Sequence, residues 1–151
     1  MTDYDSIVQE IAAASEGVDW DVSILSNASA LIWENMTDLN WCGFYIMKNG
    51  ILKLGPFQGK AACTAIELGK GVCGTAAVRG QSVRVENVHL FDGHIACDSA
   101  SNSEIVLPLK VNGTLYGVLD IDSPSLARFT EEDEKGLERT AAEIEKQLER
   151  L

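Results

Sequence analysis

The sequence predicts an α+β domain, a mainly antiparallel sheet covered on one face by terminal helices. Two observations lead there. Asn-Gly stands twice between strand-like runs, at Asn49-Gly50 and at Asn112-Gly113, and that dipeptide is the strongest short-range signal for a hairpin. The segments before the first hairpin and after the second carry apolar residues at helical spacing, so each offers a stripe to lay on a sheet.

The elements follow in order. Asp5 to Ala14 reads as a brief helix carrying Ile7 and Ile11, and a stronger one runs from about Asp21 to Met36. In the latter, Ile24, Leu25, Ala28, Leu31, Ile32 and Met36 form one apolar stripe. The period then changes: Trp41 to Met47 and Ile51 to Leu54 make the first hairpin. The middle third is rich in loops. It holds a short strand near Thr64 to Leu68, a short helix from about Val72 to Val78, a strand near Ser82 to Val85 and an irregular stretch from Glu86 to Ser101. The second hairpin pairs Ser103 to Val111 with Thr114 to Asp122. Thr130, with Asp133 three residues on, caps a final helix whose Leu137, Ala141, Ile144, Leu148 and Leu151 share a face.

The whole span of 151 residues fits one domain, expected as 1-151. A net charge of −11 argues against a nucleic-acid partner, because phosphate binding needs a basic footprint. No apolar run is long enough to span a membrane. The opening MTDYDSIVQE lacks the basic start and apolar core of a signal peptide, so a cytoplasmic location is expected. Thiols there are kept reduced, which makes Cys42, Cys63, Cys73 and Cys97 core residues, ligands or reagents rather than a stabilising framework.

Gly69-Lys70-Gly71-Val72-Cys73-Gly74 satisfies GxGxxG. A dinucleotide site needs a βαβ unit of about 30 residues around it, whereas Gly80 stops this helix early and a strand follows at once. The motif reads as a tight turn into a short helix, and no cofactor is expected. A metal centre from Cys63, Cys73, Cys97, His89 and His94 lacks the close ligand pairs of zinc sites: the cysteines are 10 and 24 apart and the histidines five apart. No metal is expected either. Cys42, within Trp41-Cys42-Gly43-Phe44-Tyr45, reads as a small core residue. Cys63, Cys73 and Cys97 lie among small and polar residues of the loop-rich third, where accessible thiols can meet and exchange.

Asp120 and Asp122, two apart in a strand, share a face, so their like charges need a cationic ligand, a proton or solvent. Glu104 opens the partner strand. If Val111 pairs with Thr114 in a regular hairpin, Ile105 lies opposite Asp120 and Glu104 is turned to the other face. A bulge or an irregular strand start is needed to bring it round.

Taken together, these segments closely resemble the free methionine-(R)-sulfoxide reductases, which are single GAF domains. The resemblance rests on Asn40-Trp41-Cys42-Gly43-Phe44-Tyr45, Leu54-Gly55-Pro56-Phe57-Gln58-Gly59-Lys60 and Gly71-Val72-Cys73-Gly74-Thr75-Ala76. It continues through Phe91-Asp92-Gly93-His94-Ile95-Ala96-Cys97-Asp98, Ser101 to Leu109, Gly117 to Ser123 and Arg128-Phe129-Thr130. One position departs: Cys42 stands where the family usually carries a small residue such as alanine.

The resemblance implies a six-stranded antiparallel sheet, an enclosed pocket and a homodimer. It implies reduction of free methionine-(R)-sulfoxide, with thioredoxin recycling the enzyme. It assigns attack to Cys97, resolution to Cys63 and an auxiliary thiol to Cys73, and places Trp41, Tyr45, Glu104, Asp120 and Asp122 in the substrate pocket. The chemistry is coherent: a thiolate attacks the electrophilic sulfoxide sulfur while a crowded carboxylic acid protonates the oxygen, and another carboxylate accepts the substrate ammonium. The desolvation cost of Asp120 in a central strand predicts that the three carboxylates converge on one pocket facing Cys97, despite the regular register. The rival functions are a non-catalytic GAF sensor with cysteines that merely pack, and a thiol peroxidase using the same cysteines.

Overall fold

The structure is a computed structural model that describes residues 1–95, 97 and 99–151. Ala96 and Asp98 of the His94-Ile95-Ala96-Cys97-Asp98 stretch lie outside the described residues. The order of elements is α1 (Tyr4–Ser15), α2 (Asp21–Asn35), β1 (Trp41–Lys48), β2 (Ile51–Gly59), β3 (Ala65–Ile66), α3 (Gly71–Arg79), β4 (Val83–Val85), a single 3₁₀ turn (Val88–Leu90), β5 (Ser103–Val111), β6 (Thr114–Ser123) and α4 (Glu131–Glu149). The strands form one six-stranded sheet in the order β3-β2-β1-β6-β5-β4, antiparallel at every pairing. The α+β class and the antiparallel sheet are as expected.

Both hairpins turn on their Asn-Gly pairs, with Asn49 and Gly50, and Asn112 and Gly113, all at positive φ. The first hairpin is longer than its apolar pattern suggests: β2 continues past Leu54 to Gly59. Between Gly43/Phe57 and Tyr45/Leu54, three steps along β2 match two along β1. That bulge holds Pro56, which has no N–H to give the ladder, and it interrupts the alternation that would have announced the strand.

The alternation of side chains across the sheet makes two cores. On one face Cys42, Phe44, Ile105, Leu107, Leu119 and Ile121 meet the apolar stripes of α1, α2 and α4. Each fully buried aliphatic side chain there contributes roughly 1.5–3 kcal/mol. Thr130 and Asp133 form a reciprocal capping box at the start of α4. The opposite face is covered as well, which the sequence reading did not expect. There α3 lies over the central strands, with Val72, Cys73, Ala76 and Ala77 against Val106, Val118 and Tyr45. Gly80 ends α3 at φ 65, a left-handed conformation that glycine adopts without strain. No helix among the described residues is long and apolar enough to cross a membrane.

Candidate active site

Three neighbouring strands build the floor of a pocket on the α3 face. Trp41 and Tyr45 project from β1, Asp120 and Asp122 from β6 and Glu104 from β5. The register aligns Trp41 with Asp122 and Asp122 with Glu104, so one row across the sheet reads aromatic, acid, acid. The next row aligns Gly43, Asp120 and Val106.

Glu104 reaches this row because β6 is bulged. Val111 does pair with Thr114, and Lys110 with Leu115, but Leu109 pairs with Gly117, leaving Tyr116 as the extra residue. The slip of one residue reverses which face every later β5 side chain meets. The regular register, with Glu104 facing away, is thereby corrected. Gly117 stands at the slip because β1 comes close: a Cβ there would lie 2.2 Å from the Tyr45 carbonyl oxygen.

The pocket is lined by Trp41, Tyr45, Cys73, Glu104, Asp120 and Asp122 from the residues singled out above, together with Cys97. Its closing wall comes from the start of α3 and from the segment that bears His94, Ile95, Cys97 and Ser101. Cys63 and Cys97, separated by 34 residues in sequence, form a disulfide with Cα atoms 5.4 Å apart. This bond ties the β2–β3 connection to the irregular segment across the pocket.

The two aromatic residues hold that connection from below. The Tyr45 hydroxyl donates to the Cys63 carbonyl at 2.9 Å, and Trp41 Nε1 donates to the Lys60 carbonyl at 3.1 Å. Trp41 also stacks between Tyr45 and Phe57, at centroid distances of 5.8 and 5.2 Å. Apolar wall and thiol position therefore share the same side chains.

The acids are deeply buried, with Glu104 7%, Asp120 5% and Asp122 8% exposed. Burial pushes the Glu104 carboxyl well above the usual carboxylate range, and the neighbouring Asp120 and Asp122 charges push it further. Burial also raises Asp120, although hydrogen bonding to Glu104, Cys73 and Asp122 works the other way. The site therefore favours the protonated form of these carboxyls more than water does. His94 is held below the usual histidine range by burial and by the neighbouring His89, against the attraction of Asp120.

Cys73 corrects one expectation. It is not in an accessible loop but buried in α3, 4% exposed, with Sγ 4.0 Å from Glu104 Oε2. Burial and the nearby Asp120 and Glu104 charges push its thiol well up, so it is held as SH. Cys42 is fully buried on the other face, among the helices. Ligand atoms of Cys73, Glu104 and Asp120 lie within 4.8 Å of one another, close enough to hold a metal ion. Their raised pKa values mean that such an ion would have to displace protons first. The five-residue set of cysteines and histidines weighed from spacing is not this cluster, and two of its members are joined in the disulfide.

Lys70, His94, Ile95 and Ser101 also line the pocket; the sequence reading met them within its motifs, and His94 as a rejected metal ligand, but gave none of them a place in the site. Ser101 accepts a hydrogen bond from Asn40 Nδ2 at 3.0 Å, linking the closing segment to the start of β1. The signals that could have placed these four there were their membership of those motifs and their adjacency to Cys73, Cys97 and Glu104 in the chain.

The chain matches the family model described as GAF domain over residues 7–148. It is 54% identical over 145 residues to free methionine-R-sulfoxide reductase of Escherichia coli (strain K12), an alignment covering 96% of this chain and 88% of that protein. The structure superposes on fRMsr of Staphylococcus aureus in its reduced form with a TM-score of 0.95 and 46% identity, covering 98% of this chain and 96% of the other. It also superposes on free methionine-R-sulfoxide reductase from Neisseria meningitidis in complex with its substrate. There the TM-score is 0.92 and the identity 40%, covering 97% of this chain and 88% of the other.

Proposed function

This chain belongs to the free methionine-R-sulfoxide reductase family of GAF domains, and on that premise we propose that it reduces free methionine-(R)-sulfoxide to methionine with Cys97 as nucleophile. The observation that carries the reading is the Cys63–Cys97 disulfide beside a pocket floored by three buried acids. In the reduced enzyme the Cys97 thiolate attacks the sulfoxide sulfur. A carboxylic acid of the Glu104, Asp120 and Asp122 group supplies the proton to the sulfoxide oxygen. The oxygen passes to Cys97, which becomes a sulfenic acid, and methionine leaves reduced. The Cys63 thiol then displaces that oxygen as water and forms the disulfide, which an external dithiol returns to two thiols.

Trp41 and Tyr45 enclose the methyl and side-chain carbons of the substrate, and a carboxylate among Asp120, Asp122 and Glu104 accepts its ammonium. Cys73 serves as an auxiliary thiol, kept protonated until exchange reaches it. The external dithiol is thioredoxin, and the protein works in the cytoplasm as a homodimer of single GAF domains spanning residues 1–151. A substrate panel with dithiothreitol tests the reading. Consumption of free methionine-(R)-sulfoxide, with none of hydrogen peroxide, is the expected result. No turnover of the sulfoxide, or equal turnover of peroxide, would overturn it.

A further inference from the structure

Spacing along the chain argues against a metal centre, but the fold assembles a donor set that spacing does not show. Cys73 is supplied by α3, which lies over the central strands, and Glu104 and Asp120 by β5 and β6. Glu104 pairs with Asp122 and Val106 with Asp120, so the two acids sit diagonally across neighbouring strands. One donor atom from each of the three residues lies within 4.8 Å of the other two. Cys73 Sγ is 4.0 Å from Glu104 Oε2. A tetrahedral zinc ion, with Zn–S of about 2.3 Å and Zn–O of about 2.1 Å, holds sulfur and oxygen about 3.6 Å apart. A small inward adjustment of the side chains closes that gap.

A second observation points to a ligand. Asp120 is 5% exposed and lines the pocket, and its Oδ1 has no hydrogen-bond partner among the described residues. A buried carboxylate oxygen left unmatched calls for a donor or a cation. The neighbouring thiol decides between them. It adds little to the binding of an ammonium, whereas a borderline-soft divalent ion takes thiolate and carboxylate together. Two positive charges also offset the acids, which crowding otherwise forces to share protons. Magnesium and calcium prefer shells made wholly of oxygen, so the sulfur selects against them.

We propose that Cys73, Glu104 and Asp120 form a zinc-class metal site, with three protein ligands and the fourth position open toward the pocket. The donors stand on packed helix and strand, which holds them in place. Cys73 takes no part in the Cys63–Cys97 disulfide, so the site is present in the oxidised protein. It shares its acids with the reductase function proposed above but does not depend on that chemistry.

The test titrates the metal-free, disulfide-bonded chain with Co²⁺, a coloured stand-in for Zn²⁺, in the absence of thiol reductants. In this form Cys42 and Cys73 are the free thiols, and Cys42 is buried on the opposite face of the sheet. One Co²⁺ per chain should bind and give the near-ultraviolet charge-transfer band of a thiolate ligand. Zn²⁺ should displace it, and about a hundredfold excess of Mg²⁺ should not. Cys73→Ser should abolish the band, and Cys42→Ala should keep it. Asp120→Asn and Glu104→Gln preserve the thiol and the side-chain shape, so they decide the matter if Cys73→Ser misfolds. Each should weaken Co²⁺ binding about tenfold or more. Failure of the reductase activity would leave the site standing, because the titration involves no turnover. Absence of the band in wild type, its survival in Cys73→Ser, its loss to Mg²⁺, or unchanged affinity in either acid variant would overturn the site.

Discussion

The two faces of the sheet are made by the same strands and both are buried, yet one is lined by apolar side chains and the other by acids and aromatic rings. On the helix-covered face, β1, β5 and β6 present Cys42, Phe44, Ile105, Leu107, Leu119 and Ile121. On the α3 face the alternate positions are Trp41, Tyr45, Glu104, Asp120 and Asp122. The two buried free thiols show the contrast in miniature. Both Cys42 and Cys73 are pushed to high pKa, mainly by burial. Only Cys73 lies within reach of Glu104 and of the pocket. Burial alone therefore does not set a thiol's surroundings; what shares its face of the sheet does.

The largest effect should come from the disulfide pair. Cys97→Ser is expected to abolish turnover while leaving the fold intact, because a hydroxyl is a far poorer nucleophile toward sulfur; activity and circular dichroism measure the two. Cys63→Ser should support about one turnover and then stall with thioredoxin as donor, since attack needs only Cys97 but recycling needs the disulfide. Mass spectrometry should find a sulfenic acid or its trapped adduct on Cys97. Sustained turnover in that variant would shift resolution to Cys73 and blur the line between the two buried thiols.

Next come the acids. Asp120→Asn, Asp122→Asn and Glu104→Gln should each lower kcat/KM by about an order of magnitude or more, through binding, the proton step or both. Steady-state kinetics check this. A near-normal Glu104→Gln would remove Glu104 from the chemistry, whatever its register.

The acids should also govern stability against pH. Burial raises Glu104 and Asp120 above their unfolded values. Over the range where the unfolded chain has released these protons, the folded protein still holds them, so stability falls as pH rises through that range. Stability conferred by the protonated acids is fully present below the ordinary carboxylate range and lost above it. Denaturant unfolding of the unliganded, reduced protein at about pH 5 and about pH 8 should show the decline. Glu104→Gln should flatten it. A slope unchanged by that substitution would mean that the acid is relieved in some other way.

The smallest effect belongs to the apolar face. Cys42→Ala should leave kcat/KM within a factor of about two and cost about 1 kcal/mol of stability, the ordinary consequence of trimming a small core side chain. A large loss of activity would break the division between the faces.

Much of this was determined by the sequence alone. Local chemistry carries the hairpins, because Asn-Gly suits the positive φ of their turns whatever lies around them. The same holds for the four helices, which declare themselves by apolar period, by the Thr130–Asp133 box and by Gly80. The Asp120/Asp122 pair was legible as same-face residues, since the period of a strand is two, whereas Trp41 and Tyr45 came to the pocket by resemblance. The tertiary structure decided the rest. The bulge at Tyr116 carries Glu104 onto the acid row, and no local preference announces it: a one-residue slip is set by how β6 fits β1 and β5, including the close approach at Gly117. The burial of Cys73, the second layer formed by α3 and the approach of Cys63 to Cys97 likewise depend on contacts between segments distant in the chain. Those contacts are chosen by packing and by the shared cost of burying charge, neither of which has a period that can be read along a sequence.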